Sequence, residues 1–285
     1  MGGFLLRPIR IGRIAFTNIL PIYHFFDPSG LNVEMIHQVP SQLNRGMAAG
    51  EIDMGPISSF AYGENHTRYT LVPHLSVSSR GPVRSIYLFT RQAELSDLRS
   101  ARIAVTNTSA TSVALLKILL QYFEGGDPEY LTMPPSLEEM MKEADAALLI
   151  GDDAVRGAWE NPGYRALDLG EEWYKRTGLD MTFAVWAVRD EVAERLRDEV
   201  AVIASRLIGS KEKGLKDLFP VVEEARRRLG GSPEFWFRYY TGLCYDLGER
   251  QLEGLRAYYR YAGELGLLPG EVKIRVMDLP AGTPC

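Results

Sequence analysis

Short apolar, β-branched runs alternate with helix-length segments through the first two-thirds of this chain. That alternation constrains the fold more than any single motif. Ile9 to Phe16 reads as a strand that breaks at Thr17-Asn18-Ile19-Leu20-Pro21. A helical stretch follows, with Pro21 tolerated in its first turn because its missing N–H has no partner there anyway. Val33–Val39 reads as a strand, Ser41–Ala49 as a helix closed by Gly50, and Ile52–Ser59 as a short strand ending in a loop. Residues 83–90, Arg102–Thr106, residues 144–153 and Met181–Val188 supply further strands, and Val113–Phe123 a strongly apolar helix. Strand and helix in alternation are the signature of an α/β fold with a mostly parallel sheet. From Glu191 onward apolar residues recur at helical spacing in Val200–Ile208, Leu215–Leu229, Pro233–Leu247 and Leu252–Leu265.

The layout predicts two α/β lobes. Residues 1–88 build the first, completed by residues 187–285 with the C-terminal helices; residues 89–186 form an inserted second lobe. The chain would cross between them at "LFTRQ" and "VWAVRD". No Pro-, Gly- or Ser-rich linker is present, which fits extended crossings better than a flexible tether.

In open parallel sheets, ligands bind beyond the carboxyl ends of the strands, where helix N-termini also point. Here those ends carry small polar residues. "RIAFTN" (13–18) and "RIAVTN" (102–107) share five of six letters and both stop on Thr-Asn. Beyond the first lie Thr17 and Asn18; Ser58 and Ser59 follow the next core strand, and Ser85 sits on the strand leading into the crossing. Beyond the second copy lie Asn107, Thr108, Ser109, Thr111 and Ser112, and "ALLI" is followed by Gly151, Asp152 and Asp153. Each residue alone is an ordinary helix cap, and capping is the reading for Asp152 and Asp153. Together they describe a cleft of hydroxyls, amides and N–H groups, which holds a small carboxylate-bearing molecule without arginines.

The remaining composition excludes other classes. Net charge is −5 with acids and bases mixed along 285 residues, so no nucleic-acid partner is expected. No segment is long and apolar enough to span a bilayer, and three arginines interrupt the N-terminal apolar residues, unlike a signal peptide. The chain therefore reads as cytoplasmic. Cys244 and Cys285 give no metal spacing and no structural disulfide, and His24, His37, His66 and His74 fall in no ligand motif. No GxSxG, Walker or GxGxxG turn appears, so neither metal nor cofactor is expected. The aromatic clusters "FWFRYY" and "YYRY" lie at helical spacing without a basic groove and read as core faces.

The stretches "RIGRIAFTNILPIY", "GEIDMGPISSFAY", "GPVRSIYLFTR", "TNTSATSVALLKILL", "ADAALLIGDDA" and "TGLDMTFAVWAVR" are similar to the chorismate dehydratases of the futalosine route to menaquinone. The helical tail "GLCYDLGERQLEGLRAYYRYAGELGLL" fits as well, so the resemblance covers nearly the whole chain. It implies a type 2 periplasmic-binding-protein-like fold turned into an enzyme. The implied activity is that of a carbon–oxygen hydro-lyase, which removes water from chorismate to give 3-[(1-carboxyvinyl)oxy]benzoate. On the matching motifs, Asn18 would position the substrate and polarise the leaving hydroxyl, and Ser85 would be a second donor. Ser109, Thr111 and Ser112 would hold one carboxylate and Ser58 and Ser59 would line the other lobe, with Thr17, Asn107, Gly151 and Asp152 completing the binding set. The proton acceptor would be the substrate's own enolpyruvyl carboxylate. A sister family that makes 1,4-dihydroxy-6-naphthoate carries a histidine near "LLIGDD", where Gly151 and Asp152 stand here. The other alternative is a non-catalytic cytoplasmic binder of a small carboxylate. One departure from the family pattern is Asp180, in Gly178-Leu179-Asp180-Met181, which reads as a solvent-facing residue before the return crossing.

Overall fold

The computed structural model describes residues 7–161 and 163–279. Cys285 and the first six residues of the N-terminal stretch lie outside the described residues. The chain begins with β1 (Ile9–Ile14), a short turn of 3-10 helix (Thr17–Ile19) and α1 (Leu20–Tyr23). It continues through β2 (Val33–Gln38), α2 (Pro40–Ala49), β3 (Met54–Ser58), α3 (Ser59–Asn65) and β4 (Tyr69–Ser79). The second group comprises β5 (Ile86–Thr90), β6 (Arg102–Thr106), α4 (Ala110–Lys117), β7 (Glu129–Met133), α5 (Leu137–Glu143), β8 (Ala146–Ile150), α6 (Gly151–Trp159), β9 (Arg165–Asp168) and α7 (Leu169–Thr177). Then come β10 (Met181–Arg189), α8 (Asp190–Arg195), α9 (Arg197–Lys216), α10 (Phe219–Leu229), α11 (Pro233–Gly242), β11 (Leu243–Cys244) and α12 (Glu249–Glu264). No described helix is long and apolar enough to cross a membrane.

Two sheets result. The first has the order β11-β4-β10-β3-β1-β2 and the second β7-β6-β8-β5-β9. In the first, β1 is parallel to β2 and β3, and β10 runs antiparallel between β3 and β4. In the second, β6, β7 and β8 are parallel and β5 is antiparallel to both β8 and β9. Each sheet is thus mixed, with most strands pointing one way and their carboxyl ends gathered at one edge.

The crossings lie earlier than the sequence reading placed them. Ile86–Thr90, expected at the end of the first lobe, belongs to the second sheet, and Met181–Arg189, expected to close the second lobe, belongs to the first. Residues 80–85 and 178–180 therefore connect the sheets, not "LFTRQ" and "VWAVRD". Both strands are apolar on both faces, so periodicity marks them as strands without saying which sheet they enter.

Local chemistry explains several boundaries. Ser58 ends β3 and accepts the Ala61 N–H, so a helix follows directly where the sequence suggested a loop. At the opposite end of the first sheet from the strand carboxyl ends, Asp53 is buried and accepts from Arg7 at 2.6 and 2.9 Å and from the Arg10 N–H at 2.9 Å. These partners hold its carboxyl far below the usual range, overcoming the opposing effect of burial.

Asp180 does not face solvent. It is buried and accepts from Arg250 at 2.9 Å and from Gln251 at 2.8 Å. A Cβ at Gly254 would lie 1.9 Å from the Asp180 carbonyl oxygen, so α12 packs directly on the return crossing. The aromatic clusters do form core: Trp236, Tyr239, Tyr240, Tyr258 and Tyr259 are all buried.

Candidate active site

The first Thr-Asn stretch leaves the sheet early. β1 ends at Ile14, Phe16 stays extended, and Thr17–Ile19 turn as a 3-10 helix. Thr17 is buried, and its N–H and Oγ1 both donate to Oδ1 of Asp152, at 2.9 and 2.7 Å. Asp152 stands in the first turn of α6, beyond β8 of the second sheet, so this contact joins the two sheets. It does not cap its own helix, whose N-cap position is Ile150. Burial pushes the Asp152 carboxyl up against the lowering effect of Thr17.

Asn18 then faces a cavity between the two sets of strand ends. Its walls include Phe16, Ser58, Ser85, Ser109, Ser112 and Gly151. The Asn18 side-chain oxygen is buried and has no hydrogen-bond partner within the protein. Burying an amide oxygen unpaired costs about 1–3 kcal/mol, which a ligand donor at this point would remove. No wall residue is acidic, basic or histidine.

Three walls are hydroxyls whose oxygens are already engaged as acceptors. Ser58 Oγ accepts from Ala61 N–H and from Asn44 Nδ2, both at 3.1 Å, while Asn44 Oδ1 takes the Ser58 N–H at 3.0 Å. Ser109 caps α4 by accepting the Ser112 N–H at 3.2 Å, and its own hydroxyl donates to Ser112 Oγ at 3.0 Å. That leaves the Ser58 and Ser112 protons to be donated, the property a carboxylate ligand needs.

Ser85 lies on the crossing at the second sheet's threshold. Asp168, buried at the N-cap of α7, grips this crossing by accepting from Val83 N–H at 3.0 Å and Arg84 N–H at 2.7 Å as well as from Gly170 and Glu171. Burial pushes the Asp168 carboxyl up in spite of these four donors. Ser85 O accepts the Gly151 N–H at 2.7 Å. Gly151 has φ +59°, and a Cβ there would lie 2.6 Å from the Phe16 ring, so both conformation and space require glycine.

The structure therefore brings Asn18, Ser58, Ser85, Ser109, Ser112 and Gly151 to one cavity. Thr17 and Asp152 bond each other beside it. Ser59 and Thr111 do not line this cavity: Ser59 donates to the Thr182 carbonyl at 2.7 Å, and Thr111 Oγ1 accepts the Phe60 N–H at 2.9 Å. Asn107 is exposed on its turn, with its N–H on the Met133 carbonyl. The sequence reading missed the apolar walls Phe16, Pro40 and Phe183, and it missed Asn44 and Asp168. The only signal for Asp168 was an acid preceding "LGEE", the ordinary mark of a helix start. A larger open groove of about 790 Å³ runs along α12 and residues 270–276 and contains none of the strand-end hydroxyls. Among the described residues, no cluster of three or more His, Cys, Asp or Glu could hold a metal.

Residues 9–264 match the model of a family described as menaquinone biosynthesis. The chain belongs to that family. It is 34% identical over 273 residues to a chorismate dehydratase of Thermus thermophilus, covering 90% of this chain and 96% of that protein. Among solved structures, a protein from Archaeoglobus fulgidus aligns with a TM-score of 0.75 at 20% identity, over 93% of this chain and all of its own. The periplasmic aliphatic sulphonate binding protein SsuA from Escherichia coli aligns with a TM-score of 0.66 at 14% identity, over 96% and 93% of the two chains. A Candida albicans protein with the generic periplasmic binding protein fold gives 0.65 at 12% identity, over 97% and 99%. The fold of this menaquinone-biosynthesis family member is thus that of the periplasmic binding proteins.

Proposed function

We propose that this protein is a chorismate dehydratase, an enzyme of menaquinone biosynthesis acting in the cytoplasm on a small-molecule substrate. The observation that carries the reading is the buried, unpartnered Asn18 amide oxygen in a cavity of neutral donors. The Thermus thermophilus relative supports the substrate.

Chorismate carries two carboxylates, a ring hydroxyl at C4 and an enolpyruvyl ether at C3. In the elimination, the C3–H bond breaks and its electron pair forms the C3–C4 double bond. The C4–O bond breaks, and the hydroxyl leaves as water with the proton. The ring becomes aromatic, which supplies the driving force, so orientation and modest acid–base help are sufficient. Asn18 holds the C4 hydroxyl: its Oδ1 takes the hydroxyl proton in a hydrogen bond, and its Nδ2 can donate to the departing oxygen. Ser85 donates from the other side. Ser58 and Ser112 offer their protons to substrate carboxylates. With no acid, base or histidine in the cavity wall, the enolpyruvyl carboxylate of the substrate takes the C3 proton and passes it to the departing C4 hydroxyl, which leaves as water.

The test is direct. Incubate the pure protein with chorismate, follow loss of the diene absorbance and weigh the product. A product lighter by one water supports the reading. Chorismate that raises the melting temperature yet stays intact makes the protein a binder and overturns it.

A further inference from the structure

Ser85 owes its place to the backbone that carries it. Its Oγ approaches the Val83 carbonyl at 3.5 Å, too long to hold the side chain. The preceding residue, Arg84, has φ +59°, in the left-handed region where a Cβ crowds the following carbonyl. A non-glycine residue stays there when its surroundings impose it. Here one carboxylate does so. Asp168 Oδ2 accepts the Arg84 N–H at 2.7 Å, and its Oδ1 accepts the Val83 N–H at 3.0 Å. The same Oδ1 takes the N–H groups of Gly170 and Glu171, at 2.9 and 3.1 Å, and so caps α7.

This carboxylate is fixed against the crossing. Asp168 is buried at the end of β9, where it pairs with Tyr87 of β5. A Cβ at Gly170 would lie 2.7 Å from the Gly81 carbonyl oxygen, so the start of α7 packs on the crossing itself. On the far side of the serine, the Gly151 N–H on the Ser85 carbonyl ties the chain to α6. Neither Arg84 nor Asp168 lines the cavity, so neither is placed to meet a ligand. Helix capping accounts for two of the four bonds to Asp168. The other two serve the residues immediately before Ser85.

We propose that Asp168 is a positioning residue for the elimination: by holding Arg84 in the left-handed conformation, it turns Ser85 toward the cavity. One side chain then sets both the start of α7 and the aim of Ser85. The proposal rests on the reading that Ser85 takes part in the elimination.

Asp168→Asn separates the two duties. Asparagine caps helices as well as aspartate does, and its amide oxygen in the Oδ1 position keeps Val83, Gly170 and Glu171. Its NH2 group then meets the Arg84 N–H, donor against donor. The variant is expected to lower kcat with chorismate about 10-fold while KM changes less than about 3-fold. In a Ser85→Ala background the same change is expected to have no effect, because the group it positions is gone. Adding Arg84→Gly to Asp168→Asn is expected to bring kcat back to within about 3-fold of wild type, since glycine takes this φ without strain. An equal loss with and without Ser85, wild-type turnover in Asp168→Asn while Ser85→Ala is impaired, or no recovery with Arg84→Gly would each overturn the positioning role. Wild-type turnover in Ser85→Ala overturns the underlying assignment instead, so the two failures are distinguishable. Should Asp168→Asn not yield folded protein, Arg84→Val and Arg84→Gly decide. Both lack the guanidinium, and the valine variant, whose β-branch resists positive φ, is expected to turn over about 10-fold more slowly than the glycine variant. Equal turnover in that pair overturns the role.

Discussion

"RIAFTN" and "RIAVTN" differ at one letter and end in opposite situations. In the first, the strand stops at Ile14 and the chain turns so that Asn18 faces a cavity with a buried, unpaired oxygen. In the second, the strand runs to Thr106 and Asn107 sits exposed on the turn beyond it. What differs is the surroundings. The first end is held from outside, by Asp152 of the other sheet and by Tyr240 and Tyr245. The second holds itself, through Thr106 to Thr108 at 2.8 Å and the Ser109 cap. The same local motif thus takes a different orientation where distant groups hold it.

The comparison can be broken most forcefully at Asn18. Asn18→Ala is expected to lower turnover of chorismate at saturation by roughly 100-fold or more, the usual loss on removing a donor to a developing negative charge. A near wild-type rate would show that the two asparagines are equivalent after all.

Gly151 tests the supporting geometry. Gly151→Ala places a methyl against the Phe16 ring and imposes about 1–2 kcal/mol of left-handed strain. Turnover is expected to fall about 10-fold, with a lowered Tm, because Phe16 immediately precedes the Thr17–Asn18 turn. Thermal melts beside steady-state assays check both halves.

Asp152 sharpens the account of how the first end is held. Its carboxyl is raised by burial, so its contribution to stability is fully present below the ordinary carboxyl pKa and is lost as pH rises through the raised value. Asp152→Asn keeps an oxygen acceptor for Thr17 without the buried charge. It is expected to raise Tm by about 2 °C at pH 7, with the gain vanishing below about pH 4. A variant less stable at pH 7 than wild type would show that the charge itself is needed.

The smallest effect belongs to the second end. Asn107→Ala is expected to change turnover and stability by less than about twofold, as for other exposed turn positions. A larger loss would place Asn107 in the site after all.

Much of the candidate cavity's polar lining was legible because strand ends in such sheets are where ligands bind, and the polar residues there were plain to see. Ser58, Ser85, Ser109 and Ser112 follow from that rule. The rule could not separate residues that face the cavity from those that hold it. Thr111 and Ser59 look the same in sequence as Ser112 and Ser58, yet they lie outside the cavity wall, against Phe60 and Thr182. Asp180 illustrates the same limit: an acid beside a crossing reads as exposed until Arg250 and Gln251, seventy positions away, are found against it.

By itself the sequence determined the alternation of strand and helix, the gathering of small polar residues at strand ends and the helical character of the C-terminal segment. These are local properties, set by side-chain periodicity and backbone preference. Only the tertiary structure decided which sheet Ile86–Thr90 and Met181–Arg189 join, and which hydroxyls remain available to a ligand. It alone brought Tyr240 and Tyr245 against the carbonyls of Thr17 and Asn18. Those outcomes depend on pairing and packing between residues far apart in the chain, where an apolar strand fits either sheet and a hydroxyl bonds whichever partner folding brings within reach.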